Sequence, residues 1–232
     1  MFAAPMMMKA GAGGGGGGIS YAGGNTALKS GGTMAVSLAA LSLQEGDLVL
    51  AFSAQSGGFD DAGAVGMVSA GWAELSGSPL SAGAAGARDS ALGGFFKVMG
   101  ATPDSSVEFD TGGGDGQVAA VMAFRGVDPT TPFDVAPVAT EATYSSTVAF
   151  GNVTPVTSGA WIVVAGSQAS LSLPDYTDPG YPGGFASVLH DPGTAALLGV
   201  AYDDGWTSGA YDPEEFGGTT MKCNFVIALR PA

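Results

Sequence analysis

Residues 118–134 read VAAVMAFRGVDPTTPFD, and the fold turns on how this stretch divides. Its first part, with Gln117 ahead of it, is a run of small and apolar residues closed by Arg125 and Gly126, which has the length and composition of a buried strand. In its second part, Pro129 and Pro132 fix φ and withhold N–H donors, and Asp128 and Asp134 offer carboxylates to nearby loop amides. The sequence VDPTTPFD therefore predicts a rigid corner, and residues 127–137 are too short and too rich in proline for a flexible linker.

The chain echoes itself on either side of that corner. Before it, LQEGDLVLAFSAQ is followed by LGGFFKVMG and then QVAAVMAFRGV; after it, VTSGAWIVVAGSQ is followed by AALLGVAYDDG and then MKCNFVIALRPA. The spacing is roughly 105 to 113 residues, and each half closes on an arginine, Arg125 or Arg230. Two independent domains are one explanation. The rigid corner favours a single sandwich over residues 33–232, with halves 33–126 and 140–232 contributing corresponding strands.

Composition agrees with an all-β domain. The 232 residues are 46% hydrophobic and only 12% charged, with 40 Gly and 13 Pro, too apolar for disorder and too rich in glycine for helices. About ten short strand-like runs, bounded by Gly, Asp, Pro and Ser clusters, predict an antiparallel sandwich with a jelly-roll-like character. The segment SLAALSL has room for one helical turn.

Charge and reactive residues narrow the function classes. With 21 Asp plus Glu against 7 Lys plus Arg, a net charge of −14, the surface field repels phosphate backbones, so no nucleic-acid partner is expected. A single cysteine, Cys223, excludes an internal disulfide framework, and the lone histidine, His190, leaves no cluster for zinc. A Ser-His-Asp triad lacks its GxSxG elbow, and the glycine run lacks the Lys-Ser/Thr of a phosphate loop. The start, MFAAPMMMKAGAGG, does not form a signal-peptide pattern. No stretch reaches the ~20 apolar residues of a membrane span, so no membrane insertion is expected.

Acidic loops and loop aromatics are the remaining candidates. Asp60 with Asp61, Asp110 with Asp115, Asp175 with Asp178, Asp203 with Asp204, and Asp212 with Glu214 and Glu215 all lie in glycine-rich loops. Such loops offer the oxygen ligands calcium needs, and Asp203, Asp204 and Asp212 are the weak calcium candidates, although none fits EF-hand spacing. No carboxylate pair is singled out for glycoside hydrolysis. Phe59, Trp72, Tyr176, Tyr181, Trp206 and Tyr211 sit in or beside Gly/Pro/Asp loops; Trp72 is expected in the core, and Trp206 either plugs an end of the core or joins Phe59, Tyr176, Tyr181 and Tyr211 in a sugar platform or protein contact.

The ordered series GDLVLAF (46–52), GWAEL (71–75), FFKVMG (95–100), VAAVMAFRGVDPTTPFD (118–134) and FVIALRPA (225–232) resembles a group of β-sandwich proteins common among tailed-phage and prophage virion proteins and also found as modules in bacterial surface proteins. The resemblance implies a non-enzymatic scaffold on the virion surface: a capsid decoration protein, head fibre or tail-fibre component. Its expected partners are capsid, portal or tail proteins, copies of itself and host-surface polysaccharide. On that reading GAGGGGGGISYAGG (11–24) belongs to a glycine-rich N-terminal arm over residues 1–32. Without Cβ atoms, Gly13, Gly14, Gly15, Gly16, Gly17 and Gly18 can pass a narrow channel or pack near a symmetry axis, with Ile19 and Tyr21 beside them as docking residues; a flexible tether is the alternative. The runner-up function is a secreted or surface lectin-like module that binds carbohydrate with calcium.

Overall fold

The structure, a computed structural model, describes residues 18–29, 32–57, 65–83, 89–110, 116–148, 151–169, 186–192, 196–212 and 216–232. They form fourteen strands and one 3-10 turn, Ala39–Leu41, inside the SLAALSL segment. In chain order the strands are β1 (Ser20–Lys29), β2 (Met34–Ser37), β3 (Leu48–Gly57), β4 (Gly66–Met67), β5 (Ala73–Glu74), β6 (Leu80–Ala82) and β7 (Asp89–Val98). They continue with β8 (Ser106–Asp110), β9 (Gly116–Arg125), β10 (Val138–Val148), β11 (Trp161–Ala169), β12 (Ala186–Pro192), β13 (Ala196–Asp203) and β14 (Phe216–Leu229).

Every ladder is antiparallel, and the strands make three sheets in layers. The central sheet runs β1-β9-β3-β7-β5 with β6 also on β7, the second sheet runs β10-β14-β11-β13-β12, and a small sheet runs β2-β8-β4. Alternation along β3 assigns the faces. Leu48, Leu50, Phe52 and Ala54 pack towards the second sheet with Met122, Phe124, Phe225 and Ile227. Val49 and Ala51 pack the other way, under the small sheet, with Val121, Phe109 and Met34. The central sheet is thus buried on both faces, which is why β3 and β9 read as unbroken apolar runs.

Close layers leave no room for side chains at some positions. Gly93 and Gly94 face opposite cores; a Cβ on Gly94 would lie 2.8 Å from Leu75 Cδ1, and one on Gly93 2.9 Å from Val65 Cγ1. Either alanine forces neighbouring side chains aside.

The echo in the sequence becomes a structural repeat. By register, Leu48, Lys97 and Phe124 correspond to Trp161, Asp203 and Leu229, and β1, β3, β6, β7 and β9 correspond in order to β10, β11, β12, β13 and β14. Both five-strand units have the same spatial order. Their mutual packing is also paired: β7 on β14 matches β13 on β9, β11 on β7 matches β3 on β13, and the β6 and β10 edges meet as the β12 and β1 edges do. A pseudo-two-fold axis parallel to the strands relates the units. Even the third layer has a remnant, since the β2-β8 pair has its counterpart in one antiparallel bridge, Val153 to Tyr211.

The expected arm of residues 1–32 has to be shortened. Ser20–Lys29 is the edge strand β1 of the central sheet, paired to β9 from Ser20↔Arg125 to Lys29↔Gln117. The sandwich begins at Ile19, because β1 completes the first unit as β10 completes the second.

The corner over 126–134 is rigid for the reasons its sequence gives. Asp128 accepts hydrogen bonds from Thr130 N (2.8 Å), Thr131 N (3.1 Å) and the Thr131 hydroxyl (2.9 Å). Buried Asp134 accepts from the Val156 and Thr157 amides and from Arg230 Nε at 3.3 Å. Backbone bonds Asp128 N to Arg230 O, Arg230 N to Pro132 O and Asp134 N to Ala228 O tie the corner to the end of β14. Burial pushes the Asp134 carboxyl up, but Thr157, Val156 and Arg230 outweigh it and hold the group below its ordinary value. A carboxyl held low stabilises the fold above its unfolded value and loses that contribution as pH falls through its folded one. Asp134→Ala is expected to cost about 2–4 kcal/mol at neutral pH, by orphaning two amides and Arg230. It should also remove part of the parent's loss of stability below about pH 4; urea unfolding at neutral and acid pH measures both.

Candidate binding site

The sandwich has two unlike ends. At the corner end, four aromatic rings from both sheets pack together: Tyr21 stacks on Tyr202 (centroids 5.1 Å apart), Tyr202 stacks on Trp161 (5.2 Å), and Phe124 meets all three edge-on. Burial, then neighbouring Tyr202, pushes the Tyr21 hydroxyl up. Ile19 is 7% exposed and belongs to the main core. Ile19 is therefore an interior residue of the sandwich, and Tyr21 is half-buried against the same core through its ring contacts; both are committed to packing within the chain and not to docking, a correction that follows from β1 being a strand. Gly13–Gly17 lie outside the described residues; Gly18 is exposed, with its carbonyl against Gly126.

At the far end, Gly57, Asp89, Gly116, Ala169 and Ala196 come level with one another. Here the cores turn polar. Ser53, Gln55, Ser56, Asp89, Ser90, Gln117, Ser167, Gln168 and Asn224 are all buried. Ser90 and Ser167 hydrogen-bond across the sheets at 3.0 Å, and the Cys223 thiol donates to Ser90 O at 3.3 Å. Among the described residues, both amide atoms of Gln55, the hydroxyls of Ser53 and Ser56, Asp89 Oδ1 and Asn224 Nδ2 have no hydrogen-bond partner. A buried amide without partners is costly, so water or a hydroxylated ligand is the chemistry that suits this floor. The visible signal was the SAQ of residues 53–55 repeated as GSQ at 166–168, where Gln55 and Gln168 are register equivalents. Neither tripeptide carries a charged or aromatic side chain, which sets both apart from the loop candidates.

The loop candidates separate. Phe59, Tyr176 and Tyr181 lie outside the described residues. Trp206 and Tyr211 lie across the outer face of the second sheet, on a cluster with Val153, Ile162, Val164 and Val226. Their polar groups are engaged within the chain: Trp206 Nε1 donates to Gly209 O at 3.1 Å, and the Tyr211 hydroxyl bonds Asp203. Trp72 packs half-buried on the second core, with Nε1 donating to Asp104.

The calcium candidates do not converge. Asp203 is buried and accepts from Gly205 N (2.7 Å) as well as Tyr211, while Asp204 and Asp212 are exposed. Among the described residues no three His, Cys, Asp or Glu gather for a metal ion. Burial and then the Glu141 charge push the Cys223 thiol up to about 12, which makes it a poor nucleophile.

The motif residues that carried the resemblance meet one another. Asp47 takes Arg125 Nε (2.9 Å) and Nη2 (2.8 Å); Lys97 and Trp72 both reach Asp104, at 2.7 and 3.1 Å; Arg230 reaches Asp134. All three clusters join neighbouring strands and turns. A direct consequence concerns Tyr21: Tyr21→Ala is expected to lower stability by about 2–4 kcal/mol through the lost stack, measured by chemical unfolding, whereas a docking residue would leave unfolding unchanged.

No protein-family model, no curated protein and no solved structure matches this chain.

Proposed function

We propose that this chain is a non-enzymatic structural protein of a phage-like virion, a surface decoration or fibre component. It anchors through the residues ahead of Gly18 and presents its far end to host-surface polysaccharide. The observation that carries this reading is the opposition of the two ends. Residue 18 enters beside Gly126 at the corner end, and β3 and β11 end at the other. Three further features support it: the motif residues serve the scaffold, the acidic surface disfavours nucleic acid, and the buried polar side chains at the far end, Asp89 among amides and hydroxyls, carry donors and acceptors of the kind that pair with hydroxyl groups.

Gly126 marks where the anchor meets the body. Its φ is +78°, and a Cβ there would lie 2.6 Å from Gly18 O; Ala232 N donates to Gly126 O at 2.9 Å. The residues just ahead of β1 and just beyond β14 thus converge on one glycine.

The boundary found for β1 decides how the anchor is tested. Removal of residues 1–17 is expected to leave a folded domain, with melting within a few degrees of the parent, that no longer enters particles. Removal of residues 1–30 strips β1 from β9 and should abolish folding. Particle incorporation of the shorter deletion, beside its melting curve, is the measurement; normal incorporation refutes anchoring by the arm. Saturable binding of the same folded domain to host polysaccharide tests the far end.

A further inference from the structure

The edges of the two large sheets are treated unequally. On β10, Glu141 puts a charge at the edge and its Oε1 accepts Ser81 N at 2.8 Å, closing that edge onto β6. β12 carries Asp191 and Pro192, and β5 and β6 are two and three residues long. Charge, proline, cover and shortness are the means by which edges are kept from pairing with other chains. β1 is ten residues long and carries neither charge nor proline over Ser20–Leu28, SYAGGNTAL; β12 lies beside it in the other sheet without hydrogen-bonding to it.

The pseudo-two-fold axis makes the contrast specific. The register equivalent of Glu141 on β1 is Leu28, which is 52% exposed, and the equivalent of Ser81 is Pro192, which has no N–H to give. The bond that closes the β10 edge therefore has no counterpart at β1. Pairing with β9 uses alternate backbone groups. Of the others, only Thr26 N–H has a partner among the described residues, its neighbour Asn25 Oδ1 at 2.9 Å. Asn25 Nδ2 is held in turn by Ser37 O.

We infer that β1 is a self-association edge, on which a second copy of this chain adds its own β1 antiparallel about Thr26. The edge is self-complementary in that register: Leu28 of each copy falls opposite Gly24 of the other, so the exposed leucine covers a position without a side chain. It is also the edge where two such acidic chains can meet, because a copy carrying −14 repels its like elsewhere and Ser20–Leu28 has no charge. Pairing extends the central sheet across both copies and supplies partners for the open backbone groups, with the Asn25 amide yielding Thr26 N–H to the facing carbonyl. The contact is small, so association in the micromolar range or weaker is expected, and salt should strengthen it by screening the two charges. The inference does not depend on the virion reading.

Two variants of the full chain test it in solution without particles. Leu28→Glu restores the charge found at the equivalent edge position and should weaken dimerisation at least tenfold in sedimentation velocity, with melting unchanged because residue 28 is exposed. Thr26→Cys places two thiols on the dimer axis and should give a disulfide-linked dimer on mild oxidation, while buried Cys223 leaves the parent unlinked. A Leu28→Glu chain that associates as the parent does, or a Thr26→Cys chain that fails to cross-link, overturns the inference.

Discussion

Burial of the central sheet on both faces is the constraint from which most of this molecule follows. A strand covered on one side alternates apolar and polar residues, but β3 and β9 must satisfy a core above and a core below. Their sequences are accordingly continuous, with large residues such as Phe52 and Phe124 towards the second sheet and small ones such as Ala51 and Ala119 towards the small sheet. The small sheet exists because that second face would otherwise be wet. The glycines of β7 follow from the same closeness, since a strand between two packed layers has no slack for even a methyl group at Gly93 or Gly94.

The scarcity of cations gives the few that are present a clear role. Of seven Lys plus Arg, Lys97, Arg125 and Arg230 each bind one carboxylate, Asp104, Asp47 and Asp134. Two of these carboxylates are buried, so losing the cation would leave an uncompensated charge. Each pair also fixes a connection: the turn before β3 to the end of β9, the loop after β7 to the turn holding Trp72, and the corner to the end of β14. Pattern-level resemblance in this chain thus measures how the scaffold is pinned together.

The sequence showed the strands with ordinary side chains and hid those without. The two halves, the corner and the 3-10 turn at Ala39–Leu41 were legible because periodicity, proline and carboxylate placement act locally. β1 was hidden because Gly23 and Gly24 sit inside it, and a strand whose partner β9 lies about a hundred residues away declares itself only through that pairing. Ile19 and Tyr21 were misjudged for the same reason: their packing partners Tyr202 and Phe124 are remote in sequence. The far-end polar floor is not legible, because serine and glutamine at strand ends look like ordinary surface residues. Their burial depends on how three layers meet, which no single strand records.

The repeat explains why the two units could diverge as they have. A pair of equivalent units packed about a two-fold axis presents each exposed element twice, so one copy can keep a structural role while the other changes. The outer face of the first unit carries a full three-stranded cover, whereas the second keeps one bridge, Val153 to Tyr211, with Trp206 beside it. The edges diverge in the opposite sense: the second unit closes its first strand through Glu141 and Ser81, and the first unit leaves Leu28 exposed at the end of an uncharged stretch, Ser20–Leu28. A folding requirement common to both units would have kept the two edges alike. The departure sits at β1, the strand joined directly to the glycine-rich residues ahead of it, so the side of the molecule freed from closing itself is the side that leads into the arm.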